Sequence, residues 1–272
     1  MALVVSEKIH RALAALLGAV ALFCIGVIDF DTGMESIDFN TLGVLCGMMM
    51  FVAVVKQSGL FEFVAIWSAK VCKGQPWRIM VAFVLITALF SALLDNVTTI
   101  LLIGPMTIML CRTLKIDATP FLIAEIIASN VGGTATLIGD PPNIMIGSAA
   151  GLTFFDFIRY DAPIVVVILA VLLIVFKILY GRKLFVDEVA MREVMALSEQ
   201  DAIKDRGLFA KSIAMIAAVT AAFMLHGALH LESGVIALGA AGIMLLVSKS
   251  DLEVALEGVE WGSSASSSAC SS

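Results

Sequence analysis

The sequence predicts an all-α polytopic membrane protein, and three observations carry that prediction. Of its 272 residues 60% are hydrophobic and only 15% are charged, where a soluble domain carries roughly 25%. The apolar residues collect into uncharged runs at 12–28, 39–55, 79–94, 97–110, 126–139, 162–176, 212–231 and 233–248. Several approach the ~20 residues that cross ~30 Å of hydrocarbon. The third observation is an interruption. Residues 130–143, NVGGTATLIGDPPN, place three glycines, two adjacent prolines, two asparagines and an aspartate inside an otherwise apolar segment. Backbone at membrane depth must be bonded internally unless it is buried in protein or lines a watery cavity. A break of this kind therefore marks a place where backbone meets a solute.

The scaffold is expected over 1–75. The opening MALVVSEKIHRALAALLGAV has basic residues before an apolar run, but the run continues to Ile28 without a clean cleavage site. It reads as a retained first span (about 11–29) rather than a signal peptide. The loop DFDTGMESID has no basic residue, and a second span (about 39–55) returns to Lys56. Residues 59–74 read as an amphipathic helix along the inner surface. A helical hairpin is expected over 76–117, with arms 79–94 and 97–111 joined at Asp95-Asn96. Lys73 and Arg78 flank one open end, Arg112 and Lys115 the other, so the hairpin faces the cytoplasm. Arms of ~24 and ~22 Å leave open whether it spans fully or is re-entrant.

Residues 118–181 hold the broken helix (about 118–150), which crosses outward, and a returning span (161–180) whose Lys177 can snorkel. A cytoplasmic loop follows at 182–207, then two spans within 208–250 (about 208–226 and 232–248). The serine-rich end, 251–272, has no spanning capacity and is expected to be a truncated or aberrant tail. Of the 17 Lys and Arg, only Arg159 falls outside in this layout. That asymmetry puts the N-terminus in the cytoplasm and the chain in the inner (plasma) membrane.

Two polar groupings carry chemistry. At the hairpin tip, Asp95 or Asn96 can cap the second arm, whose first turn offers the positive end of its dipole. Oxygens of Asp95, Asn96, Thr98 and Thr99 can ligate a small cation, and an ordinary polar turn remains the alternative. In the break, Ser129, Asn130, Gly132 and Gly133 lie where a first half-helix ends with unpaired carbonyls. Thr134 to Ile138, including Thr136, form an extended connector. Gly139-Asp140-Pro141-Pro142-Asn143 is a helix start, with Asp140 as N-cap and the prolines where an N–H is not missed. Glu125, one turn before the break, is an intramembrane carboxylate and by default a candidate proton or cation carrier; a plain hydrogen bond to a neighbouring helix is the other reading.

Other features point to no further chemistry. The five cysteines show neither CxxC nor ligand spacing, so no disulfide framework or metal centre is expected. His226, His230 and Glu232 have metal-like spacing but read as a solvated loop. GGTATLIGD lacks the Lys-Ser/Thr that grips phosphate, and no cofactor is expected beyond Na⁺ or H⁺ as coupling ion. Asp95 and Asp140 invite comparison with intramembrane aspartyl proteases, but Ile138 stands where those enzymes carry glycine, so no enzyme is expected. A net charge of −6 gives no ground for a nucleic-acid partner. The expected partners are the lipid bilayer and a small inorganic ion or anion.

Residues 91–157, SALLDNVTTILLIGPMTIMLCRTLKIDATPFLIAEIIASNVGGTATLIGDPPNIMIGSAAGLTFFDF, closely resemble the ArsB/NhaD ion-transporter superfamily. The nearest likeness is to its P-protein-like permease branch, with a citrate transporter-like domain, and it runs from about residue 8 to 260. The resemblance implies one inverted-repeat half of an elevator-type transporter with a helical hairpin and a broken transmembrane helix, working as a homodimer when complete. It implies that Asn96 and Thr98 are tip ligands, that Asn130, Gly132, Gly133 and Thr136 line the break, and that Pro141, Pro142 and Asn143 start the second half-helix. The tip departs from the Ser-Asn-Thr of the related divalent-anion symporters, and Asp140 replaces a small or hydroxyl residue. The added negative charge favours cation or proton coupling, or a neutral substrate such as arsenite. A second repeat, present in the superfamily, is not seen here. The expected function is thus secondary active ion transport of the inorganic-anion or Na⁺/H⁺-coupled type, or a non-functional truncated half. A channel-like chloride pathway and a dicarboxylate/citrate:cation symporter are the alternatives.

Overall fold

The structure is a computed structural model that describes residues 11–248 apart from 28, 36, 182, 183, 185 and 230. Lys8, Arg182, Lys183, His230, Lys249 and the serine-rich tail lie outside the described residues. Twelve helices follow one another among the described residues: α1 (Arg11–Ile25), α2 (Phe30–Glu35), α3 (Phe39–Gln57), α4 (Leu60–Val71), α5 (Pro76–Leu93), α6 (Asn96–Leu114), α7 (Thr119–Gly133), α8 (Pro141–Ala150), α9 (Phe154–Tyr180), α10 (Glu188–Ala196), α11 (Arg206–Leu229) and α12 (Ser233–Ser248). The all-helical expectation holds.

Among the described residues five helices are long and apolar enough to cross a membrane: α3, α5, α6, α9 and the stretch Arg206–Leu225 of α11. Within the segment read as a span over 11–29 the described helix is Arg11–Ile25, and α12 covers the expected 232–248 to within one residue. The stretch 182–207, read as a loop, contains α10, whose Ala190 and Val194 are buried against α6 and α4. A clasp of Lys70 with Glu199 and a bond from the Lys204 amide to Ser58 O at 3.3 Å tie that stretch to both ends of α4.

Two apolar cores result. One joins α3, α11 and α12 to Leu137, Ile138 and Ile144. The other joins α5, α6, α7 and α9. In the first, α3 and α12 approach closely because small residues face each other. A Cβ on Gly47 would lie 2.5 Å from the Ala237 carbonyl carbon, as expected where membrane helices pack without a hydrophobic drive. Asp38 starts α3 by accepting the amides of Asn40 and Thr41 at 2.9 and 3.2 Å, and Asn40 Oδ1 accepts the Gly234 amide at 2.7 Å. Along α9 the outward residues Ile164, Val166, Val167 and Ile178 are exposed, an apolar face suited to lipid.

The hairpin is α5 and α6, 18 and 19 residues long, about 27 and 29 Å. Both arms exceed the expected ranges. Pro76 fits the first turn of α5, and the chain reverses through extended backbone at Leu94 and Asp95. α7 packs against both arms and against α9. That packing delivers the end of α7 to the hairpin tip.

Candidate functional site

The tip is built by a cap. Asp95 has extended backbone and its Oδ1 accepts the Thr98 amide at 2.8 Å, satisfying one of the amides that a helix start leaves open. The carboxylate is only 6% exposed, and its Oδ2 is buried without a protein partner. Thr99 is buried too, but its hydroxyl donates to Asp95 O at 2.8 Å within the helix. Thr98 enters through its amide.

The break meets the tip through hydroxyls and amides. Ser91 Oγ donates to Ser129 O at 2.6 Å, and Ser129 Oγ to Asn96 O at 2.8 Å. Asn96 Nδ2 lies 3.3 Å from Asn130 Oδ1 and 3.5 Å from Asp140 Oδ1. Thr136 Oγ1 donates to Ala92 O. Asn143, in the first turn of α8, donates from Nδ2 to Gly133 O at 3.2 Å and to Thr136 O at 2.9 Å, which clasps the two half-helices together. The glycines let backbones touch. A Cβ on Gly132 would stand 2.5 Å from Ala88 Cα, one on Gly133 2.8 Å from Gly139 O, and one on Gly139 2.6 Å from Ser91 O.

Several expectations change. α7 ends at Gly133 as expected, but its last carbonyls are largely satisfied. Val131 O accepts the Thr134 hydroxyl, Gly132 O accepts the Ala135 amide at 3.0 Å, and Gly133 O accepts Asn143. Thr134 is exposed and spends its hydroxyl on its own helix, so it stays out of the cluster. The connector is a turn at Thr134 and Ala135 followed by bends, not an extended strand.

Asp140 has the extended backbone of an N-cap but makes no capping bond from its side chain. The reason is chemical. A cap bonds the amide of the second or third helical residue; Pro142 has no N–H, and the Asn143 amide goes to Asp140 O at 3.0 Å. The half-buried carboxylate is left to face Asn96 and to feel the charge of Asp95.

Glu125 stands apart from this cluster. It is 1% exposed, Thr107 Oγ1 donates to its Oε1 at 2.6 Å, and its Oε2 is buried without a partner. Sequence reasoning missed Ser91 and Thr107. Ser91 is the one polar residue in the last turn of α5, just before the tip, which was the available signal. Nothing in the local sequence singled out Thr107.

Among the described residues no group of three or more His, Cys, Asp or Glu is arranged for a metal ion. The grouping of His226, His230 and Glu232 is outside the described residues at His230. What the site offers is two carboxylates, that of Asp95 with an oxygen that has no partner, amide and hydroxyl oxygens around them, and, among the described residues, no ion pair to either. Such a set suits a small cation. Behind the connector lies a cavity of about 100 Å³ lined by Asn40, Leu137, Ile144, Ser148 and Glu232 among others.

Comparison with known proteins agrees with this architecture. A family model described as citrate transporter (CitMHS) matches residues 1–263. An uncharacterized transporter of Mycobacterium tuberculosis is 46% identical over 266 residues, covering 95% of this chain and 61% of that protein. The 46 kDa membrane protein of Mycobacterium leprae is 42% identical over 264 residues, 96% of this chain and 62% of its own length. The human P protein is 42% identical over 195 residues, 68% of this chain and 23% of that protein. The chain thus spans about three fifths of the length of the mycobacterial relatives it matches.

Proposed function

The chain belongs to the citrate transporter family, and from that premise we propose that it serves secondary active transport across the inner (plasma) membrane, with its N-terminus cytoplasmic. The hairpin tip and helix break hold the coupling cation, Na⁺ or H⁺. The observation that carries the reading is Asp95: a buried carboxylate with one oxygen spent on a helix cap and the other without a partner. A buried charge is kept when it is paired or neutralised. A bound cation shared with Asp140 and the Asn96 and Asn130 amides supplies that pairing. The basic residues at the hairpin's open ends support the orientation.

The cargo is an inorganic oxyanion or its neutral acid, moved together with or against the cation; two adjacent carboxylates favour the neutral acid, and an oxyanion needs the bound cation to screen them. A second reading, a citrate-type carboxylate, is favoured by the family's description. In that case the cation screens Asp95 and Asp140 from the substrate.

The test is radiolabelled Na⁺ binding and pH-gradient-driven ion flux with the full chain in proteoliposomes, beside Asp95→Asn. Asparagine keeps an oxygen for the Thr98 amide, so the variant should fold and melt like the parent. Saturable cation binding in the parent, lost in Asp95→Asn, is expected. Equal binding in both would sink the assignment. Citrate and arsenite, added as competitors, then separate the two cargo readings.

A further inference from the structure

We propose that Glu125 is a proton-binding site within the bundle, separate from the tip and break, in which Thr107 holds one carboxyl oxygen and the other takes up and releases the proton. The carboxyl lies in the middle of α7, 1% exposed, with a single donor on Oε1 and none on Oε2. An ionised carboxylate has about four acceptor positions to fill. One hydroxyl fills one of them.

No charge stands ready to pair with it. Glu125 is the only charged residue of α7, and none of the ion pairs among the described residues includes it. Of the elements packed against α7, α5 contributes Arg78, exposed in its first turn. α6 contributes Arg112, exposed in its last turn, and the buried uncharged thiol of Cys111. On α9 the titratable groups are Asp156, Arg159, Tyr160 and Asp161 in the first two turns and Lys177 and Tyr180 at the far end. A buried carboxyl without a counter-charge is held neutral by a proton rather than as a bare anion. The same intramembrane setting makes a purely decorative carboxyl costly.

The chemistry is a simple exchange. Hydronium on the accessible side gives up H⁺ and leaves as water, the O–H bond forms at Oε2, and the Thr107 hydroxyl continues to donate to Oε1. On release that bond breaks, the proton passes to a water molecule to re-form hydronium, and Thr107 stabilises the anion. Thr107 is therefore a positioning residue. Its donor bond favours the ionised state, so it sets the pH at which the proton leaves.

Infrared spectroscopy of the full chain in H₂O and D₂O reads this directly, through the carbonyl stretch of protonated carboxylic acid. In the parent an acid band is expected that Glu125→Gln removes and that disappears reversibly as pH is raised. Thr107→Val should move its midpoint up by about one pH unit, a tenfold gain in proton affinity. Glu125→Asp, which withdraws the carboxyl from Thr107, is the second variant should glutamine not fold, and should move the band's frequency. A spectrum unchanged by both Glu125 variants would overturn the proposal. So would an acid band that persists at every pH at which the chain stays folded, or a midpoint that ignores Thr107→Val. Asp95→Asn should leave the titration of this band in place, so failure here and failure of the cation site at the tip are read separately.

Discussion

Replacing Gly132 by alanine tests whether the break is assembled by backbone contact. Alanine is favoured over glycine in a helix by about 1 kcal/mol, so a free position would gain stability. Gly132 is not free. The new Cβ would stand 2.5 Å from Ala88 Cα and 2.8 Å from the Ala88 carbonyl carbon. These are backbone atoms of a spanning helix and cannot rotate away as a side chain end can. Overpacking of this kind costs typically about 1–3 kcal/mol. With a rigid obstacle the upper end applies, and subtracting the propensity gain leaves a net loss of about 2 kcal/mol. Gly239 in α12 is the control, because a Cβ there meets nothing within 4 Å. Thermal melting of both variants in one detergent should move in opposite directions, down for Gly132→Ala and level or up for Gly239→Ala. Because Ser91 and Ser129 bridge the same two helices at 2.6 Å, Gly132→Ala should also weaken cation binding. A Gly132→Ala protein that melts at or above its parent would refute the close approach of α5 and α7.

Pro142→Ala restores an amide at the second position of α8. The Asp140 side chain should turn to cap it, a gain of about 1 kcal/mol largely offset by the lost rigidity of proline, so melting stays near the parent while cation affinity falls. Asp38→Ala removes the acceptor for two amides at the start of α3 and should cost about 1 kcal/mol, read as a lower melting temperature without loss of cation binding. The hydrogen bond from Lys70 holds the Glu199 carboxyl below its ordinary pKa. That contribution is present above the unfolded-state pKa and is lost as pH falls through the folded one. Glu199→Gln should therefore lower the melting temperature at neutral pH and flatten the acid limb of a melting-versus-pH curve, the two proteins converging at low pH.

Much of this architecture was legible because membrane helices punish polar backbone. The glycines and prolines of 130–143 announced the break, and α7 ends at Gly133 where the half-helix was expected to stop. The turn at Asp95 was legible for the same reason. Three things were not. α10 hides in a stretch of mixed charge, where a short amphipathic pattern looks like solvated loop until α4 and α6 cover its Ala190 and Val194. The end of α1 was overrun because apolar composition continues beyond the helical backbone at Ile25. The bonds of Ser91 to Ser129 and Thr107 to Glu125 are tertiary, and spacing along one helix says nothing of which hydroxyl a neighbouring helix meets. The missing cap at Asp140 was readable in principle, since two prolines after an acid remove the amide that a cap would use.

That last point supports the proposed ion site at a helix break of this composition. Broken helices expose amides at one end and carbonyls at the other, and buried polar groups left unbonded are costly. Here the carbonyl end is filled from within, by the Ala135 amide, the Thr134 hydroxyl and the Asn143 amide group. At the amide end Pro141 and Pro142 have no N–H to fill. The backbone is thus nearly self-sufficient without drawing on the acids. What the backbone leaves unused is the side-chain carboxyls: Asp95 Oδ2 has no partner and Asp140 Oδ1 lies 3.5 Å from Asn96 Nδ2. A backbone-lined site would present fixed partial charges of modest size. This one presents carboxyl groups that the proposed cation or proton would serve, beside a connector whose Leu137 and Ile138 belong to one apolar core and whose Ala135 belongs to the other. Neutralising those carboxyls would change the electrostatics at the place where the two cores are joined.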